Sequence, residues 1–322
     1  MTSLPRYLVF LAFAFSLGSA AKTGVPQETQ SSPYTYVDPK VGYLPLPLVK
    51  TEVHKVVANE TVYKVTYSFG QFGERLTPSV VESPQVHLTV FGGSLGFGEG
   101  VNDNETILFH LVKNNPKVMP YNFAFRGQGP NSFLARLEFT NVLKDMSPTK
   151  GTFVYLHAPF HYRRAYGYSN VIGLWGRNTP HYEITDTGEL RYSGLFSESK
   201  PYLTQFYSWF AQLDLVQRLG LYFPIFAEGR ARDLTCRIIA RIEELIKRDQ
   251  PQSQLIVVTL PRQSHAELPR CLTDGTHVHH DLRKSYPPHD LERMEIPLDG
   301  HYNPWGNQVL GDTIRPLLGE IQ

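Results

Sequence analysis

The stretch that most constrains the fold is residues 85–103, QVHLTVFGGSLGFGEGVND. Val86, Leu88 and Val90 alternate with His87, Thr89 and Phe91, and so short and largely apolar a run suits a core strand. It ends in five glycines within nine residues, Gly92, Gly93, Gly96, Gly98 and Gly100, with Ser94 among them. Residues without a Cβ let the backbone turn sharply and leave a neighbouring hydroxyl exposed. A strand, a tight turn and a helix put Ser94 outside the carboxyl end of a strand, where α/β sheets keep their active sites. Ser94 is therefore a candidate nucleophile; the competing reading is an ordinary glycine-rich loop.

The chain around this turn has the texture of parallel βαβ units. A helix is predicted near residues 106–114, a strand over 118–125 with a turn at Gly127, and a helix over 131–144. A third strand, GTFVYL, covers 151–156 and leads to His157 and His161. Residues 162–195 read as a long loop, a lid or a wall. Apolar residues at spacings of three and four predict helices over 201–219 and 233–248. LIVVTL at 255–260 is a fourth core strand, 277–282 a fifth, and a last helix begins with Asn303 as cap and Pro304 in the first turn. Before all this, residues 35–83 form short β-like runs, with a hairpin turning at Ala58-Asn59-Glu60.

The predicted organisation is a signal peptide over 1–21, a flexible leader over 22–34, a small β appendage over 35–83 and an α/β domain over 84–322. The signal reading rests on Arg6, the apolar run 7–17 and the small residues Gly18-Ser19-Ala20-Ala21. That run is shorter than the roughly 20 residues a spanning helix needs. The expectation is export to the periplasm or beyond, with no stable membrane insertion after cleavage. The appendage is expected to pack on the main domain, with a grip on substrate as the alternative.

Composition narrows the partner. Lys plus Arg total 31 against 30 for Asp plus Glu, which lacks the basic footprint of a nucleic-acid binder. The only cysteines in the chain, Cys236 and Cys271, either pair in an oxidising compartment or stay as two buried thiols, and they make no zinc signature. The glycine run lacks the lysine of a phosphate-binding loop and the register of a dinucleotide fingerprint. His277, His279, His280 and His289 lack a completing carboxylate set. No cofactor and no metal are expected.

Serine catalysis needs a base for the hydroxyl proton, a group that fixes the base's tautomer, and donors for the oxyanion. Asp299 and His301 stand two apart in a polar loop before the last helix, a spacing that lets the carboxylate reach Nδ1 and frees Nε2 for a serine. The bland alternatives are a turn residue for Asp299 and a helix-start residue for His301.

Together these pieces resemble the SGNH hydrolases, the GDSL esterase/lipase family. Gly92-Gly93-Ser94-Leu95-Gly96 resembles its first block, Gly127 in YNFAFRGQGP its second, and Asp299-Gly300-His301 its last. The resemblance covers residue 85 to the C-terminus and leaves out the appendage. It implies a flavodoxin-like three-layer α/β/α sandwich with a mainly parallel sheet. It also implies a Ser94-His301-Asp299 triad and an oxyanion hole from the N–H groups of Ser94 and Gly127. The sequence departs twice. Gly93 stands where the family has aspartate, and the asparagine block after GTFVYL is missing, so that His161 or His157 would have to supply an N–H in its place or else serve as a satisfied structural histidine. The expectation is an exported serine esterase acting on a small ester or an acylated glycan. An O-acyltransferase of an exported polysaccharide and a non-catalytic binding protein of the same fold are the alternatives.

Overall fold

A computed structural model describes residues 26–262 and 266–319; the segment read as a signal peptide lies outside them. Strands run in chain order as β1 (Gln27–Gln30), β2 (Thr35–Asp38), β3 (Gly42–Pro45), β4 (Lys50–Val57), β5 (Glu60–Ser68), β6 (Val86–Gly92), β7 (Val118–Asn122), β8 (Gly151–His157), β9 (Pro180–Ile184), β10 (Leu190–Leu195), β11 (Gln254–Thr259) and β12 (Val278–Asp281). Five of them form the central sheet in the order β12-β11-β8-β6-β7, every pair parallel. Numbered along the chain within that sheet, the order is 2-1-3-4-5, the doubly wound flavodoxin-like arrangement.

All seven residues of β6 are buried, as are six of seven in β8. A strand covered on both faces has no polar side to alternate, and this is why these strands read as near-continuous apolar runs. The helices divide between the faces. Leu88, Val90, Val154 and Ile256 pack with Ile107, Leu108, Leu310 and Ile314, from the helices Ile107–Val112 and Pro304–Ile314. Phe91, Phe153, Tyr155 and Val257 pack with Phe133, Leu134, Ile238 and Ile242, from Pro130–Phe139 and Glu228–Asp249. The reversal of strand order lies between β6 and β8, so the carboxyl end of β6 opens at the crevice where such sheets bind ligands.

In the N-terminal region, β1, β4 and β5 form an antiparallel sheet and β2 pairs with β3. The β4–β5 hairpin turns at Ala58 and Asn59, both with positive φ, as tight hairpins of this hand require. Val53, Tyr63, Val65, Tyr67 and Phe69 from this region belong to the same apolar cluster as Leu88 and Val90. The two parts share one core.

Four elements differ from the sequence reading. Gln27–Gln30, expected in a flexible leader, forms β1 along β4. The expected loop over 162–195 contains the helix His161–Tyr166, a π turn over Ile172–Gly176 and the hairpin β9–β10. The single helix expected over 201–219 is two, Pro201–Phe210 and Asp214–Leu219, with Leu213 extended between them and the Gln217 side chain donating to Ala211 O at 3.0 Å. The helix expected over 131–144 ends at Phe139 and a short turn restarts at Val142–Asp145. Cys236 and Cys271 are joined as a disulfide. Among the described residues no helix is long and apolar enough to cross a membrane.

Candidate active site

Strand β6 ends at Gly92, and Gly93, in extended conformation, caps a one-turn helix over Ser94–Phe97. That helix is closed from behind. Gly98 adopts the left-handed region and donates to Ser94 O at 3.0 Å. Arg75, 1 % exposed, donates to Phe97 O, Gly98 O and Val101 O at 2.8, 2.6 and 2.6 Å and pairs with Asp103 at 3.0 Å. The last carbonyl of this four-residue helix and two just beyond it are met by one guanidinium from the N-terminal region, and Asn122 Nδ2 donates to Gly96 O at 3.1 Å.

On the opposite side, the loop before the last helix brings in His301. Ile296 N donates to His301 O at 2.7 Å, and Asp299 N and Gly300 N both donate to Ile296 O at 3.1 Å. Arg262 donates to Gly300 O at 2.5 Å. So held, His301 Nε2 lies 2.8 Å from Ser94 Oγ and its Nδ1 lies 2.5 Å from Asp299 Oδ1. The three residues selected from the sequence, 207 positions apart at the extremes, stand in one hydrogen-bonded line. Asp299 on Nδ1 leaves Nε2 as the nitrogen free to exchange a proton with the serine. Burial pushes the Asp299 carboxyl up, but the hydrogen bonds and charges of His301 and Lys55 outweigh it and hold the carboxyl well below the usual range.

Gly127 sits in the turn after β7 with φ +72°. A Cβ there would come within 2.6 Å of Trp175 and 2.7 Å of the Tyr43 hydroxyl, so the turn closes against both only because the residue is glycine. Arg164 donates to Gln128 O at 2.8 Å and fastens the same turn.

His161 comes to the Ser94 turn from the far side of Gly93. Ala158 N donates to its Nδ1 at 3.3 Å, and Arg164 Nη1 lies 3.5 Å from its Nε2. Burial, with Arg164 and His157 nearby, pushes the His161 pKa well down and keeps the ring neutral. A Cβ added to Gly93 would lie 2.8 Å from His161 Nε2 and 2.3 Å from Arg164 Nη1. Gly93 therefore has a local reason: an aspartate side chain there would enter the space that Arg164 and His161 hold. His157, the other candidate donor, is turned into the sheet, with Nδ1 3.0 Å from Thr259 Oγ1.

Sequence reading missed an ionic surround. Glu99 Oε2 lies 3.4 Å from His301 Nε2, and its other oxygen pairs with Arg126 at 2.9 Å. Arg126 also pairs with Glu28 of β1 at 2.6 Å. Lys55 of β4 lies 2.5 Å from Asp299 Oδ2. Glu99 carried one signal, its place within the glycine run. Lys55 and Glu28 carried none, because only the docking of the N-terminal sheet brings them in. The four histidines weighed as metal ligands scatter: His277 pairs with Glu243 at 2.8 Å, and His279 Nε2 lies 2.8 Å from Thr259 Oγ1.

No family model and no curated protein matches the sequence. Among solved structures the chain is similar to a lipase, Lip_vut3, from a goat rumen metagenome (12% identity, TM-score 0.43, covering 74% of this chain and 100% of that one). It is similar to the psychrotrophic esterase EstA from a Pseudoalteromonas species (10%, 0.37, 72% and 96%). A protein placed in the G-D-S-L lipolytic family, from Desulfitobacterium hafniense DCB-2, is a third (11%, 0.39, 73% and 100%). Likenesses this distant assign no activity to the chain.

Proposed function

We propose that this protein is a serine esterase that cleaves a carboxylic ester through an acyl-enzyme. The observation that carries the reading is the line Ser94 Oγ, His301 Nε2, His301 Nδ1, Asp299 Oδ1, at 2.8 and 2.5 Å. His301 Nε2 takes the Ser94 proton as Oγ adds to the ester carbonyl, and the N–H groups of Ser94 and Gly127, with Nε2–H of His161, hold the oxyanion. The imidazolium then gives its proton to the departing alcohol. Water, deprotonated in turn by Nε2, releases the acid and restores Ser94. Asp299 stays ionised throughout and keeps Nδ1 protonated.

The substrate in this reading is a small ester, such as an O-acyl group on a glycan, and the protein works after export. The Cys236–Cys271 bridge supports an oxidising compartment. No cofactor or metal enters the reaction.

Ser94→Ala is expected to lose nearly all activity on a short-chain aryl ester, by about 10³-fold or more, while an organophosphonate labels only the parent protein. A folded Ser94→Ala variant that cleaves the ester as fast as the parent overturns the proposal. Adding an alcohol or glycan acceptor to the same assay and identifying the product separates hydrolysis from acyl transfer.

A further inference from the structure

The N-terminal sheet delivers a cation to the acid of the proposed triad. Lys55 stands near the end of β4, where the pairing with β5 slips register between Lys55 and Val56. Such a bulge re-aims the side chain beside it. Lys55 stands opposite Tyr63 across the hairpin, its ammonium 5.7 Å from the ring centroid and 2.5 Å from Asp299 Oδ2. The Asp299 side chain is fully buried and that of Lys55 is 17 % exposed. The carboxylate is thus shared: Oδ1 faces the imidazole and Oδ2 faces the ammonium.

Around His301 each neighbouring carboxylate touches a cation. Three carboxylates surround the ring: Asp299 on Nδ1, Glu99 on Nε2, and Glu295 close enough to interact with its charge. Lys55 pairs with Asp299, Arg126 with Glu99 at 2.9 Å while it also holds Glu28, and Arg262 with Glu295 at 3.6 Å. The base of a serine site must be neutral to work, so anions left uncompensated beside it would move its working range to higher pH. Asp299 is the nearest anion, and Lys55 is the only cation within 4 Å of it among the described residues.

We propose that Lys55 is a positioning residue of this site, which orients the Asp299 carboxylate and lowers the proton affinity of His301 through it. The inference rests on the serine-esterase reading. It makes the N-terminal sheet part of the catalytic apparatus and not an accessory.

The natural ester being unidentified, the test reads Ser94 itself, as the rate at which a p-nitrophenyl alkylphosphonate phosphonylates the full chain from pH 5 to 9. Ser94 Oγ bonds to phosphorus, p-nitrophenolate leaves, and His301 takes the hydroxyl proton. For the parent the rate rises along one acid limb to a plateau. Lys55→Gln keeps a donor to Asp299 and removes the charge; its limb is expected about one pH unit higher, about tenfold slower on the limb with a plateau within a few-fold of the parent. Lys55→Arg keeps the charge and is expected to keep the limb. A folded Lys55→Gln variant whose limb coincides with the parent's overturns the inference and leaves the esterase reading standing, whatever happens to the plateau. If Lys55→Gln does not fold, a limb in Lys55→Arg that moves up like that of a neutral variant overturns it instead. A parent protein that is never labelled at Ser94 removes the esterase reading, and this inference with it.

Discussion

His161, read from the sequence as a stand-in for the family's asparagine donor, lies beside Gly93, and its chemistry there is set by its neighbours. Ala158 N–H and the Tyr155 hydroxyl meet Nδ1 at 3.3 and 2.9 Å, and Nε2 faces Gly93 and the Arg164 guanidinium; the proposed role needs the proton on Nε2, as the oxyanion donor. Removing one oxyanion donor typically costs about 10²–10³ in turnover. His161→Ala is expected to lower kcat on an aryl ester by that amount with little change in KM, measured on protein shown folded by its thermal transition. A kcat within a few-fold of the parent's would make His161 a packing residue only. The site was legible in part because its proposed chemistry needs particular residue types at short spacings. Ser94 sits within a glycine turn, and Asp299 and His301 stand two apart. Lys55, Glu28 and Arg126 were illegible because a surface lysine, glutamate or arginine carries no local pattern. Their meaning depends on a contact 244 residues long in the case of Lys55 and Asp299.

At the scale of elements, the one-turn helix over Ser94–Phe97 is too short to stand alone. It depends on strand β6 at one end and on Arg75 at the other. Arg75→Met would take a donor from three buried carbonyls and from the Asp103 carboxylate, of which Gly98 O and Asp103 each keep a second, long one, at a cost of about 3–5 kcal/mol. Urea unfolding of the variant measures this directly, and a loss below about 1 kcal/mol would show that the turn holds itself. The same dependence explains which elements the sequence disclosed. Strands β6, β8 and β11 carry their own signal, since burial on both faces makes them near-continuous apolar runs. β1 does not: all four of its residues are exposed, and it exists as a strand because β4 offers it an edge. The hairpin β9–β10 is likewise mixed in burial and reads as loop. Where a short element is stabilised by a neighbour and not by its own pattern, periodicity has nothing to report.

Across the whole molecule, the buried histidines set a limit on the pH at which the fold holds. Burial lowers His87, in β6, to about 4 against a hydrogen bond that its ring donates to Gln250 Oε1. Burial, with His279 and Arg283, lowers His157, in β8, to about 3. Burial lowers His181, in β9, to about 4 against the charge of Glu183. In each case the folded pKa lies below the unfolded value of about 6.5, so between the two the unfolded chain binds more protons and stability falls with falling pH. Their stabilising contribution is complete above about 6.5 and drains away as the pH drops toward 3–4, at up to about 1.4 kcal/mol per histidine per pH unit. Asp299 has the same sign in a lower window, since its depressed carboxyl contributes above its unfolded pKa of about 3.9 and is lost only below that. The unfolding free energy from urea titration is therefore expected to fall between pH 7.5 and pH 5, by on the order of several kcal/mol in total, and the urea midpoint with it. A midpoint that stays flat or rises over that range contradicts the assignment of these three rings as buried and neutral. The same series separates two causes of acid inactivation: a reversible loss of Ser94 reactivity in protein still folded belongs to His301, and a loss that tracks the unfolding transition belongs to the histidines of the sheets.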